Sequence, residues 1–271
     1  MATVYVSPTG GAVTQDGLTA DTAYPYSSLS TAETQAQAGG TILFTDGTYS
    51  LTSANWLVDD LTYKSLNQNG AVIDGTVTSE GDSARLLQQG STSGTVGTTV
   101  DGFKFIDFRI EQRMANSNTA LNKVLNCTIT CTKFLNFVNG TINGYWASNR
   151  VLYSGCSIYL KWYSGNRIFY GTTNTTIESS TVGLDLHPSE TSITNDAINS
   201  AKNCIFTSND TGSVNNISMG AKGNTCCFYN WGTTTSGGTN NIFQDPQLVN
   251  LTGGDLRLRP TSPCIGAATL S

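Results

Sequence analysis

Apolar and polar residues alternate in short runs along this chain, and one run keeps returning. Val124-Leu125-Asn126-Cys127-Thr128-Ile129 is its clearest copy. Val100-Asp101-Gly102-Phe103-Lys104-Phe105 precedes it. Tyr153 to Ile158, Ile177 to Val182, Ala201 to Phe206 and Gly223 to Phe228 follow. Counted between central positions (Phe103, Cys127, Cys156, Ser180, Cys204, Cys226), the steps are 24, 29, 24, 24 and 22 residues. A fixed period in this range is the mark of a repeat architecture.

Each copy reads as a strand with one buried face. The centre and the residue two places on (Phe105, Ile129, Ile158, Val182, Phe206, Phe228) share a side by strand alternation. The apolar residue three places before the centre has the wrong parity for that side on a straight strand. The chain must therefore bend between them, at Gly102, Asn126, Gly155, Ser179, Asn203 or Thr225. Glycine and asparagine suit the left-handed backbone that a sharp corner needs. Bent strands at this period, with no helical spacing between copies, predict a coil of parallel strands. One coil cannot bury its own inner face; stacking at about 4.8 Å buries it between neighbours.

Composition agrees with a narrow apolar core inside polar walls. Hydrophobic residues make up 38% and charged residues 12% of the 271. With a net charge of −5 and no basic stripe, the chain is not expected to bind nucleic acid. No apolar run is long enough for a bilayer span. The start, Met1-Ala2-Thr3-Val4-Tyr5, enters a strand directly and offers no secretory signal; an extracellular or cell-surface protein whose signal has been removed is the alternative. Of the seven cysteines, four occupy the central repeat position. That suits small buried side chains in a ladder better than disulfides or a metal site, and no cofactor is expected.

Both ends carry further signatures. Tyr5-Val6-Ser7-Pro8-Thr9-Gly10-Gly11, Asp16-Gly17, Tyr26-Ser27-Ser28-Leu29, Gly39-Gly40-Thr41-Ile42 and Asp46-Gly47-Thr48-Tyr49 resemble the N-terminal end of parallel β-helix proteins of the pectate-lyase-like superfamily. Asn241 to Val249, Gly254 to Pro260 and Ser262 to Ala268 resemble the C-terminal end of bacterial and phage β-helix proteins. The resemblance implies an all-β fold: a right-handed parallel β-helix, a solenoid, with a short N-terminal capping helix. Ser28 to Gln37 offers that helix, with Leu29, Ala32 and Ala36 on one face and Gly39-Gly40 as its stop. A single domain is expected, with a cap over 1–40, coils over 41–240 and a closing strand or cap over 241–271.

The fold says little about activity, because the same coil carries lyases, hydrolases, adhesins and virion proteins. The family's hydrolase motifs built on Asn-Thr-Asp and Gly-His-Gly are absent. Alternation through Asp107-Phe108-Arg109-Ile110-Glu111-Gln112-Arg113 would place Asp107, Arg109, Glu111 and Arg113 on one face, a ladder of alternating charge suited to an interface. Counting outward from the repeat centres, Thr132, Lys161, Asp185 and Asn209 form one column; Phe134, Tyr163, His187 and Thr211 form another. On straight strands, Lys161, Tyr163, Asp185 and His187 make a compact outer patch over two coils, a candidate saccharide-binding site. The first reading of function is a non-catalytic phage tail or capsid component, located in the virion. It would contact other virion proteins and a glycan, with a homotrimer suggested by resemblance to phage fibres. A polysaccharide lyase or glycoside hydrolase and a bacterial surface adhesin are the alternatives.

Overall fold

A computed structural model describes residues 2–11, 15–51, 55–80, 85–89, 97–113, 121–136, 142–145, 150–164, 169–170, 175–188, 198, 200–209, 223–231 and 238–267. For 55–56, 85–89, 109–113, 135–136, 142–145, 150, 163–164 and 169–170 it describes the backbone alone.

The chain is a parallel β-helix. Strands of successive coils line up in sheets A, B and C. Among the described residues sheet A has ten strands, running from Tyr24–Pro25 and Thr3–Ser7 through Thr41–Phe44, Thr62–Ser65, Thr99–Asp101, Leu121–Leu125, Arg150–Ser154, Thr175–Glu178 and Ser200–Lys202 to Gly223–Asn224. Sheet B runs from Gly47–Ser50 through Ala71–Asp74, Lys104–Ile106, Thr128–Thr130, Ser157–Ser164, Thr181–Leu186 and Ile205–Ser208 to Cys227–Tyr229. Sheet C has five strands among the described residues, including Arg85–Gln89 and Phe108–Arg113. Every pairing in these three sheets is parallel, so each coil returns to the sheet it left one strand further on.

The register is that of the sequence repeat. Phe105, Ile129, Ile158, Val182, Phe206 and Phe228 are successive partners across sheet B. Val100, Val124, Tyr153, Ile177, Ala201 and Gly223 are successive partners across sheet A. Both rows are buried and form the lumen.

The corner between the rows lies where parity requires it. Gly102, Asn126, Gly155, Ser179, Asn203 and Thr225 all have positive φ, between 46° and 77°. Behind each comes a buried centre: Phe103, Cys127, Cys156, Ser180, Cys204 or Cys226. Five of these do more than fill space. The Cys127 thiol donates to Leu125 O (3.1 Å), Cys156 to Ser154 O (3.5 Å), Ser180 Oγ to Glu178 O (2.7 Å), Cys204 to Lys202 O (3.1 Å) and Cys226 to Asn224 O (3.4 Å). The same carbonyls accept an N–H from the preceding coil's corner residue. The ladder thus selects a small side chain with a hydrogen to donate, which explains why serine stands among cysteines.

The N-terminal cap follows the pattern of its residues. The helix is Leu29–Ala36, with Ala32 and Ala36 fully buried, and Gln37 at φ 59° ends it. It closes the lumen against strands Thr3–Ser7 and Thr41–Phe44 and shields the first coil's core from water. At the other end, Leu248–Asn250 and Asp255–Leu258 form an antiparallel hairpin. This hairpin lies along the outside of sheet B. Tyr159, Leu248 and Leu256, with Leu251 and Leu258, make a second, smaller apolar cluster there. Gly183 permits the docking, since a Cβ at that position would meet methyls of Leu256 and Leu251 at 2.6 and 2.8 Å.

One expected alternation fails. Asp107 does not share a strand with Arg109, Glu111 and Arg113. It sits at a second corner, with φ 52°, between Lys104–Ile106 of sheet B and Phe108–Arg113 of sheet C. Its buried carboxylate accepts from Thr132 N (2.6 Å) and Thr132 Oγ1 (2.7 Å) of the next coil. It is a corner brace, not the end of a charged ladder. The side chains of Arg109, Glu111 and Arg113 lie outside the described residues.

Candidate functional site on the outer face of sheet B

Ser157–Ser164 and Thr181–Leu186 run straight for eight and six residues. Alternation sends Ile158, Leu160 and Trp162, with Val182 and Leu184, into the lumen, each fully buried. Tyr159 and Lys161 point outward on one strand, and Gly183 and Asp185 on the next. Lys161 is the register partner of Asp185, and Tyr159 that of Gly183. His187 extends the ladder by donating its N–H to Trp162 O at 2.8 Å.

The outward residues divide into two layers. Asp185 belongs to the lower one and is only 6% exposed. Its carboxylate accepts from Tyr159 Oη at 3.1 Å and from the Asn209 amide. Asn209 is itself held by Leu186 N–H, which donates to its Oδ1 at 2.9 Å. Tyr159 Oη also faces Thr252 O of the hairpin, at 2.7 Å. A phenol has one hydrogen and cannot serve both acceptors fully. A proton on Asp185 would complete a chain from carboxyl to phenol to carbonyl. Burial raises the Asp185 carboxyl above the ordinary carboxylate value, against the opposing pull of Tyr159, Lys161 and Asn209.

The upper layer is open to solvent. His187 Nε2 lies 2.9 Å from Glu80 Oε1, and Glu80 is about half exposed. The imidazole meets the edge of Phe134 with ring centroids 5.1 Å apart. Lys161 Nζ stands 5.4 Å from the centre of the same ring. Phe134 is therefore held between a histidine and a lysine, with a carboxylate at the rim. Such a group offers an apolar edge beside directed donors and acceptors.

The four residues singled out from the sequence fare differently. Lys161, Asp185 and His187 do come together on adjacent coils. Asp185 serves as buried support beneath the other two. The Tyr163 side chain lies outside the described residues. Glu80 was not anticipated, because it follows a sheet B strand by several residues and carries no repeat signal. Tyr159 had a signal, an outward aromatic whose partner in the next copy is glycine. Among the described residues no group of three or more histidine, cysteine or acidic side chains could hold a metal, and no helix is long and apolar enough to cross a membrane.

No family model matches the chain, and no curated protein matches it. Among solved structures the chain is similar to pectin methylesterase PemA from Erwinia chrysanthemi. The two are 12% identical, with a TM-score of 0.47, over 86% of this chain and 81% of that one. The β-helix assignment stands on the strand pairings themselves.

Proposed function

We propose that this protein binds polysaccharide along the outer face of sheet B, at the cluster of Phe134, Lys161, His187 and Glu80. The observation that carries the reading is Phe134 set between Lys161 and His187, with Glu80 on the histidine. Mixed charge around an aromatic edge suits a hydroxyl-rich polymer, which needs donors and acceptors together. Parallel coils repeat at about 4.8 Å, a rigid platform for an extended chain. The virion role, with its glycan, its other virion proteins and its trimer, rests on the resemblance of the chain's ends to phage β-helix proteins. The polysaccharide reading is preferred because it stands on side chains already in place.

The test is a polysaccharide panel read by affinity electrophoresis. Lys161→Ala and His187→Ala should each weaken binding about tenfold and leave the melting temperature within about 2 °C. Binding that survives both changes sinks the proposal. A second reading, glycan cleavage, draws on the exposed Glu80 carboxylate paired with His187, with Asp185 buried beneath as support. New reducing ends or unsaturated uronates from the same panel, lost in Glu80→Gln, would favour it.

A further inference from the structure

We infer that Cys227 and Cys264 form a thiol pair that oxidises reversibly to a disulfide and locks the C-terminal hairpin onto the last coil. Cys227 begins the last sheet B strand. Its neighbour Phe228 faces the lumen and stacks on Phe206, so Cys227 faces outward. It is nonetheless only 3% exposed, because the returning chain covers it. Residue Ile242 bridges to Cys227, and the Cys227 thiol donates to Gln244 O at 3.3 Å. The tail is tied to that same segment, since Ser262 Oγ donates to Pro246 O at 2.6 Å and accepts from Cys264 N at 3.2 Å. These bonds tie both cysteines to the same short segment, Gln244 to Pro246, and the Cys264 side chain is among the neighbours that raise the Cys227 thiol. Both are unpaired in the structure, and Cys264 is partly open to solvent.

Cys204 and Cys226 are also neighbours, but they are sealed in the lumen, and oxidation would take from each its bond to a corner carbonyl. Cys227 stands to lose only its bond to Gln244, an exposed residue whose carbonyl water can serve. The chemistry balances with oxidised glutathione as oxidant. The Cys264 thiolate attacks one glutathione sulfur, breaking that disulfide and releasing one glutathione thiol. Cys227, once deprotonated, attacks the Cys264 sulfur of the mixed disulfide and releases the second. Two protein thiols lose two electrons and two protons, and one glutathione disulfide becomes two thiols. Burial raises the Cys227 thiol, so the second step is the slow one.

The closed loop contains the whole hairpin and the tie to Tyr159. Oxidation should therefore slow tryptic cutting at Arg257 severalfold and raise the melting temperature by about 5 °C. The experiment treats the native full-length protein with oxidised glutathione, then maps non-reduced peptides by mass. A peptide pair joining Cys227 to Cys264, reversed by dithiothreitol and absent in Cys264→Ser along with the protection, is the expected result. Cys264→Ser alters a partly exposed turn and should fold as the parent does. Glutathione left on Cys264 with Cys227 still free, or a Cys204–Cys226 disulfide, overturns the inference.

Discussion

The corner between sheets A and B and the corner leaving sheet B make an instructive pair. The first is present in every copy of the repeat from Gly102 to Thr225 and has one construction: a residue at positive φ, then a buried centre, in five copies with a thiol or hydroxyl on the carbonyl two places back. The second appears at Thr76, Asp107 and Asn230, where φ is again positive, but Ser157–Ser164 and Thr181–Leu186 run straight on where such a bend would fall. The candidate site lies where this corner is skipped. The extra strand length carries Lys161 and Asp185 outward as register partners, whereas Asp107, at the bend, is turned inward to brace Thr132. A regular corner builds the scaffold, and its omission builds the surface.

Substitutions can break this contrast, and the largest effect should come from the irregular corner. Asp107→Ala removes an acceptor of two hydrogen bonds and leaves alanine at positive φ. A loss of about 3–5 kcal/mol in urea-unfolding stability is expected. A loss below about 1 kcal/mol would mean the bend is held by its neighbours. At the regular corner, Ser180→Ala strands the Cys156 N–H, which now donates to Ser180 Oγ at 3.0 Å, and should cost about 1–3 kcal/mol. Ser180→Cys should cost less than Ser180→Ala, because the thiol restores the donor that the other centres supply. Equal losses would reduce the ladder to simple packing.

The smallest effect is a pH dependence at the skipped corner. The Asp185 carboxyl is raised in the folded state, so its proton is bound more tightly there than in the unfolded chain. Its contribution to stability is complete below the ordinary carboxylate value and fades as pH rises through the folded value. Between about pH 4 and pH 7, the parent's melting temperature should therefore fall relative to that of Asp185→Asn. Parallel curves would show that burial does not make the folded chain hold the Asp185 proton more tightly.

The Asp107 corner was also open to detection in the sequence. Phe105 and Phe108 are both buried and stand three apart, the same parity clash that located the A–B corners. A run of alternating charge after Asp107 masked it. Glu80 left no such trace, because its approach to His187 depends on how a segment between coils settles on the outside of sheet B.

What the sequence by itself determined is the coil: its period, its left-handed corners, its inward ladder and its capping helix. These depend on parity and backbone sterics over a few residues, repeated until the register has no alternative. Tertiary structure alone decided how the outer face is furnished. The hairpin lies against Gly183 and Tyr159, Asp185 goes under cover, and Glu80 reaches His187, through contacts between segments far apart in the chain. Each depends on the shape and polarity of a surface that exists only after the coils have stacked.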